Sequence, residues 1–267
     1  LAMFEWLELE EKVGQLWHRW AASHSSSYPV FQEAAVSLES IVRPLSVFFR
    51  AGGGPAGVAV VSVAARTSSH RLNLRQRLGF DEEVLDLARL DEENLLLPPS
   101  IALFSDPRLN RDMYFWLAAL LAAMTPTTVF HDPLRQDISS LRQVYAASLL
   151  VLDQFPGLRR RYSALQRQML VIRPARSLPP AEAAIEAVIS RMLGATQPLP
   201  EDATAYYEAV MDPAISLRPF RAPPHYRRPL PVPLWANLNL LGTVNGQAIE
   251  DDDSAVPNPA ATEQTQH

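Results

Sequence analysis

The spacing of apolar residues predicts a helical beginning, a short β-rich stretch and a long helical remainder. Five apolar residues share one face at the 3.6-residue period of a helix, namely Leu9, Val13, Leu16, Trp17 and Trp20. They predict a first helix over residues 4–22. A second apolar stripe predicts a helix over residues 30–50, in which Pro44 should introduce a kink or divide the helix into two pieces. The glycines and the proline at 52–55 end this second helix.

Residues 57–104 have a different pattern, with β-branched and alternating apolar positions. The nearly continuous run of small apolar residues at 58–65 indicates a buried strand, and a shorter strand follows a polar turn at 67–69. Residues 84–97 predict a hairpin around an acidic turn, although the first arm could equally form a short helix. The whole stretch therefore predicts a small, mainly antiparallel sheet.

A helical pattern extends over residues 107–211. Asp106 before Pro107, and Asp132 before Pro133, each have the form of an N-cap followed by proline at the first helical position. Further apolar stripes predict helices over 133–154, 156–173, 179–194 and 200–211. Short joints containing Pro and Gly imply antiparallel neighbours and hence a helical bundle. The predicted fold class is mainly α with a small antiparallel β-sheet (α+β).

A proline-rich segment follows the helices. Three of its prolines are spaced by two residues, at Pro229, Pro231 and Pro233. This spacing misses the Pro-x-x-Pro register of proline-recognising domains, but it places all three on one side of an extended chain. Apolar residues such as Leu234 then lie on the other side. We therefore predict an extended strap over residues 219–240 that packs across the helices and buries Trp235.

Charge is distributed unevenly along the chain. The formal net charge is −5, and residues 247–267 contain five acidic residues and no Lys or Arg, so the preceding 246 residues are neutral overall. A neutral body lacks the basic footprint of a nucleic-acid-binding protein. The acidic, polar composition of residues 247–267 predicts a disordered linker after one domain spanning residues 1–246.

The composition also bears on the cellular setting. The longest apolar run, Met113–Met124, is about half the ~20 residues that a membrane span requires, and it predicts a buried helix. No signal peptide is visible, and the chain has no cysteine. Disulfides, thiolate metal sites and a cysteine nucleophile are therefore excluded, and a reducing, cytoplasmic setting is expected.

Motifs for catalysis or for cofactor binding are weak. The glycines at 52–57 leave a helix and enter a strand, whereas a phosphate-binding loop leaves a strand, opens a helix and carries a lysine. The histidines lack metal-ligand spacing, and no Gly-x-Ser-x-Gly elbow occurs. We predict no catalytic, metal or cofactor-binding residue. The enzyme alternative is a hydrolase whose site is assembled from scattered residues such as His131, Asp132 and Asp106.

Two groups of residues are candidates for binding a partner. Trp17 and Trp20 have the spacing of core residues, and the alternative is an exposed aromatic anchor for another protein. The other group is the densest basic run, Arg159, Arg160 and Arg161, which on a helix is most often a solvated face.

Four stretches together resemble the N-terminal region of the CbbO/NorD family. They are Leu16-Trp17-His18-Arg19, Pro44-Leu-Ser-Val-Phe-Phe-Arg50, Leu109-Asn-Arg-Asp-Met-Tyr-Phe-Trp-Leu-Ala-Ala119 and Pro231-Val-Pro-Leu-Trp235. Family members are adaptors of hexameric AAA+ ATPases of the MoxR class. They also carry a von Willebrand factor A domain with an Asp-x-Ser-x-Ser metal site, which this sequence does not contain.

The resemblance implies a non-catalytic adaptor whose hexameric partner supplies ATP and magnesium chemistry. The favoured target is Rubisco, as for CbbO, which works with its ATPase CbbQ to release inhibitory sugar phosphates from Rubisco. The adaptor would contact Rubisco only indirectly, through the missing von Willebrand factor A domain. The alternative target is nitric oxide reductase, as for NorD. A helical scaffold for an unrelated partner is the third hypothesis.

Overall fold

The structure is a computed structural model that describes residues 28–62, 88–90, 93–125 and 129–236. Four predicted features lie outside these residues: the helix at 4–22 with Trp17 and Trp20, the strand after the turn at 67–69, the end of the strap at 237–240 and the acidic segment 247–267. Within them the chain forms six α-helices and five short strands, so the predicted α+β class is confirmed.

Helices account for most of the described chain. Their bounds are α1 Leu38–Ala51, α2 Pro107–Ala123, α3 Pro133–Gln154, α4 Leu158–Ile172, α5 Pro180–Met192 and α6 Glu201–Met211. The last four agree with the predicted helices to within two residues at each end. The Asp106 and Asp132 caps are also confirmed, because their carboxylates accept backbone N–H bonds from Arg108 and Leu134 at 2.8 and 3.0 Å.

The helix predicted over 30–50 begins later than expected, at Leu38. The residues before it form a 3₁₀ turn and strand β1 (Val36–Ser37), which pairs antiparallel with β5 (Ser100–Ile101). The Leu38 N–H also donates to the Pro99 carbonyl at 2.9 Å. Backbone bonds to this distant segment therefore override the local helical pattern.

Helix α1 continues through Pro44, so the predicted alternative of two separate pieces is wrong. An internal proline removes one helical hydrogen bond and costs about 3 kcal/mol. The helix buries Ile41, Leu45 and Phe49 along one stripe, and burying three such side chains outweighs that cost.

A three-stranded sheet lies beside these helices, with β4 (Asn94–Leu97) between β2 (Ala59–Ser62) and β3 (Arg89–Leu90). Strands β3 and β4 pair antiparallel, as in the hairpin predicted over 84–97, of which residues 84–87 and 91–92 lie outside the described residues. Strands β2 and β4 pair in parallel, which makes the sheet mixed rather than mainly antiparallel. Three leucines of β4 are fully buried, as expected for a central strand covered on both faces.

Helix α2 lies at the centre of the core and packs against α1, α3 and α4. Its buried residues include Tyr114 and Trp116, and they surround nearly the whole helix, as the apolar run predicted. Buried Asn110 connects α2 to the preceding chain by donating to the carbonyls of Ala34 and Phe104 at 2.9 and 2.8 Å. Across the described ranges, no helix is long and apolar enough to cross a bilayer.

Candidate interaction surface and the proline-rich strap

The strap, residues 219–236 of the described chain, ends in the core. Trp235 is only 3% exposed, so its predicted burial is confirmed. The turn that carries it contacts α2 and α4, and the Trp116 Nε1 donates to the Leu234 carbonyl at 3.0 Å. The end of the strap is therefore an integral part of the fold.

The predicted separation of prolines from apolar residues does not extend to Pro233. Pro231 is exposed and Val232 is buried, as expected for an extended chain, while Pro229 is half-buried. At Pro233 the chain turns into a 3₁₀ helix, Pro233–Trp235, and Pro233 is buried with its neighbours. A period of two applies only to extended backbone, so the pattern ends where the turn begins.

Arginine side chains satisfy carbonyl groups along the proline-rich chain, which forms no backbone ladder of its own. Arg135 of α3 donates to the carbonyls of Arg218 and Phe220 at 2.6 and 2.7 Å. Arg142, two turns later, donates to the carbonyl of Ala209 in the last turn of α6 and to that of Ile215, before the strap, at 2.8 and 2.9 Å. The planar guanidinium suits this role because its five N–H donors have a fixed geometry.

A third arginine, Arg173, joins three separate parts of the chain. Its Nη2 donates to the Leu230 carbonyl and to the Glu186 carboxylate, both at 2.8 Å, and its Nε bonds to the other Glu186 oxygen. Its Nη1 donates to the Tyr28 hydroxyl at 2.6 Å, and that hydroxyl donates to the Pro231 carbonyl at 3.0 Å. Burial raises the pKa of Tyr28 to about 12, so this phenol keeps its proton and remains a donor.

Two buried carboxylates hold the middle of the strap. Asp137 accepts a 2.9 Å hydrogen bond from the Tyr226 hydroxyl, and its other oxygen lies 3.9 Å from Arg228. Burial raises the pKa of Asp137 to about 6, although Tyr226 and Arg228 favour its charged form. Glu182 accepts from the Arg227 N–H at 3.1 Å. These acids serve to attach the strap.

Two of the three residues proposed for a scattered hydrolase site, Asp132 and Asp106, have structural roles. One Asp132 oxygen caps α3, and the other accepts from the Ala222 N–H of the strap at 3.0 Å. Asp106 caps a different helix, and His131 is exposed. Among the described residues, no three His, Asp or Glu side chains are placed to hold a metal ion. The geometry therefore gives the hydrolase alternative no support.

The arginine corner, defined as Arg159, Arg160 and Arg161, lies exposed in the first turn of α4. Arg161 forms a 3.1 Å ion pair with Asp112 of α2, and the Arg159 Nε donates to the Leu152 carbonyl at 3.0 Å. The corner is thus accessible, and its binding of a partner stays a prediction. The same holds for Trp17 and Trp20, which lie outside the described residues.

Sequence reasoning missed the arginines that bind carbonyls of the strap and of the chain just before it. A usable signal was present, because Arg135 and Arg142 are seven residues apart on the face of α3 that buries Ile138. Arg173 likewise follows directly after the apolar stripe of α4. An arginine within an apolar stripe indicates a buried donor that needs acceptors from elsewhere in the chain.

Comparison with known proteins identifies relatives along nearly the whole chain. Neither a family model nor a solved structure matches it. Protein NorD of Brucella abortus is 38% identical over 252 residues, which is 94% of this chain and 38% of that protein. Protein NorD of Stutzerimonas stutzeri is 40% identical over 188 residues, covering 70% of this chain and 29% of that protein.

An uncharacterized protein of Pseudomonas aeruginosa is 33% identical over 250 residues, covering 93% of this chain and 36% of that protein. The chain spans less than two fifths of the length of these relatives. The matches favour the NorD side of the resemblance, and they give no support to an assignment as CbbO. The chain is a relative of the proteins named NorD.

Proposed function

We propose that the chain belongs to an accessory protein that supports the activation of nitric oxide reductase. The observation that carries the proposal is the 38% identity to a protein named NorD over 94% of this chain. The resemblance stated above links NorD to this activation. Nitric oxide reductase therefore replaces Rubisco, favoured from the sequence, as the proposed target.

In this proposal the chain is a non-catalytic adaptor of a MoxR-class AAA+ hexamer. Its buried polar groups support such a role, because Arg173, Asp137 and Glu182 hold the strap rather than line a reactive centre. The arginine corner is the exposed charged surface that we assign to the ATPase. ATP hydrolysis and its magnesium belong to the hexamer.

Deletion of the gene in its own host tests the target. We expect cells without it to make normal amounts of the reductase polypeptides but to consume nitric oxide slowly. Reintroducing the complete gene should restore the rate. Unchanged nitric oxide consumption would refute nitric oxide reductase as the target. An assay of Rubisco reactivation in the same cells tests Rubisco, the target favoured from the sequence.

Co-elution tests the proposed ATPase partner. The chain is mixed with the MoxR-class hexamer from the same host in ADP, ATP and non-hydrolysable nucleotide, then separated by size exclusion. We expect co-elution in at least one nucleotide state and its loss when Arg159 and Arg160 are both changed to glutamate. The matched control changes two other exposed arginines, Arg43 and Arg176, in the same way. Absence of co-elution in every state would contradict the adaptor proposal.

A further inference from the structure

The surface around the arginine corner has a local excess of positive charge. Helix α4 has three arginines and no acid in its first turn, and Arg111 of α2 lies near enough to Asp112 to influence it. Asp112 pairs with Arg161, Asp106 lies near enough to Asp112 to influence it, and Asp153 follows Leu152, whose carbonyl binds Arg159. Positive charge at the start of a helix is unfavourable because it repels the helix dipole. An anionic group that covers this surface would relieve that repulsion.

The same chain contains an anionic segment of suitable chemistry. Glu250, Asp251, Asp252 and Asp253 are consecutive, and no Lys or Arg follows Ala236. We propose that this acidic run docks on the arginine corner of its own chain. The contact is independent of the proposed role with nitric oxide reductase, and it would compete with any acidic partner for the corner.

The attachment point places the acidic run within reach. Trp235 lies beside Tyr162 of α4, whose ring stacks on Trp116 with centroids 3.6 Å apart. Arg161 directly precedes Tyr162 in α4, so the described part of the strap ends against the same helix that carries the corner. Residues 237–249 then connect to Glu250. A random coil of 13 residues spans about 20 Å on average, a span that would give the acids a high local concentration at the corner.

Apolar side chains support the same pairing. Leu149 and Leu150, near the end of α3, are 51% and 60% exposed, and they stand three and two residues before Leu152, whose carbonyl binds Arg159. The acidic run is flanked by Ile249 and Val256. An acidic segment with apolar ends matches a basic surface with adjoining leucines.

Disulfide formation between two introduced cysteines tests the contact, and the cysteine-free chain makes this experiment clean. The variant carries Ser163→Cys, one turn after the corner on the exposed side of α4, and Ser254→Cys beside the acidic run. The rate of disulfide formation is measured in a glutathione buffer, at low and at high salt. We expect cross-linking within one chain to be about tenfold faster at low salt, since several surface ion pairs act together and salt screens them.

Charge variants distinguish docking from random collision. In the Ser163→Cys/Ser254→Cys background, changing Arg159 and Arg160 to glutamate should abolish the salt dependence, whereas changing both to lysine should preserve it. Glutamate at the start of a helix is favourable, so the fold should tolerate the reversal. Changing Arg43 and Arg176 to glutamate is the control and should leave the salt dependence of disulfide formation unchanged. Equal rates at both salt concentrations would overturn the proposal, as would disulfides that form only between two chains.

Discussion

The indole of Trp116 donates a 3.0 Å hydrogen bond to the carbonyl of Leu234, although 118 positions separate the two residues. This bond connects the central helix to the last described turn of the strap. Trp116 is 1% exposed and Leu234 is completely buried, so the bond forms away from water. The strap therefore completes the core, and truncation before it should expose the centre of the fold.

Changing Trp235 to alanine should lower the free energy of unfolding by about 3–5 kcal/mol, because the substitution leaves a cavity between α2, α4 and the strap. Urea denaturation followed by circular dichroism measures the loss. Val47→Ala serves as the control, since Val47 is 68% exposed and its truncation should change stability by less than about 0.5 kcal/mol. Equal midpoints for wild type and Trp235→Ala would contradict the role of the strap.

Changing Arg173 to lysine should destabilise the fold by about 2 kcal/mol, even though the positive charge is retained. A single ammonium group cannot bind Glu186 in two places and also reach Tyr28 and the Leu230 carbonyl. The comparison is Arg176→Lys, at an exposed position three residues later. If both variants melt at the same temperature as wild type, the network does not hold the strap.

Asp137 should make stability depend on pH. Its pKa is about 6 in the folded chain, above the ordinary 3.8, because the carboxyl is buried. Between these two values the folded state holds a proton that the unfolded state has lost, so the unfolding free energy falls as pH rises through this window.

Asp137→Asn removes the titrating carboxyl group, while the amide oxygen remains an acceptor for the Tyr226 hydroxyl. From near pH 5 to near pH 7.5, wild type should lose about 1 kcal/mol more stability than the variant. Parallel urea titrations at the two pH values measure the difference. Identical pH dependence in the two proteins would show that Asp137 titrates normally.

Two glycines in one loop should respond differently to alanine. A Cβ at Gly54 would lie closer than 3.0 Å to three ring carbons of Phe49, which is buried and cannot move aside. A Cβ at Gly57 would meet nothing within 4 Å. Gly54→Ala should cost about 1–3 kcal/mol, and Gly57→Ala should cost nothing measurable. Thermal unfolding of the two variants provides the test, and equal melting temperatures would contradict it.

Local rules identified much of the helical architecture from sequence. The Asp-Pro pairs at 106–107 and 132–133 located two helix starts, because a capping carboxylate and a fixed proline φ act within one turn. Apolar stripes located α3 to α6 for the same local reason. The spacing of the prolines also indicated an extended strap with a buried Trp235, and similarity of short motifs indicated the NorD relatives.

Tertiary structure alone decided which distant groups meet. Residues 36–37 became a strand because residues 99–101 supply their backbone partners, and the parallel pairing of β2 with β4 likewise depends on where remote strands lie. The arginine contacts with strap carbonyls follow the same principle, since Arg135 and Phe220 are 85 positions apart. Sequence fixes which donors and apolar faces exist through local backbone preference, whereas the pairing of buried polar groups depends on the packed arrangement of the whole chain.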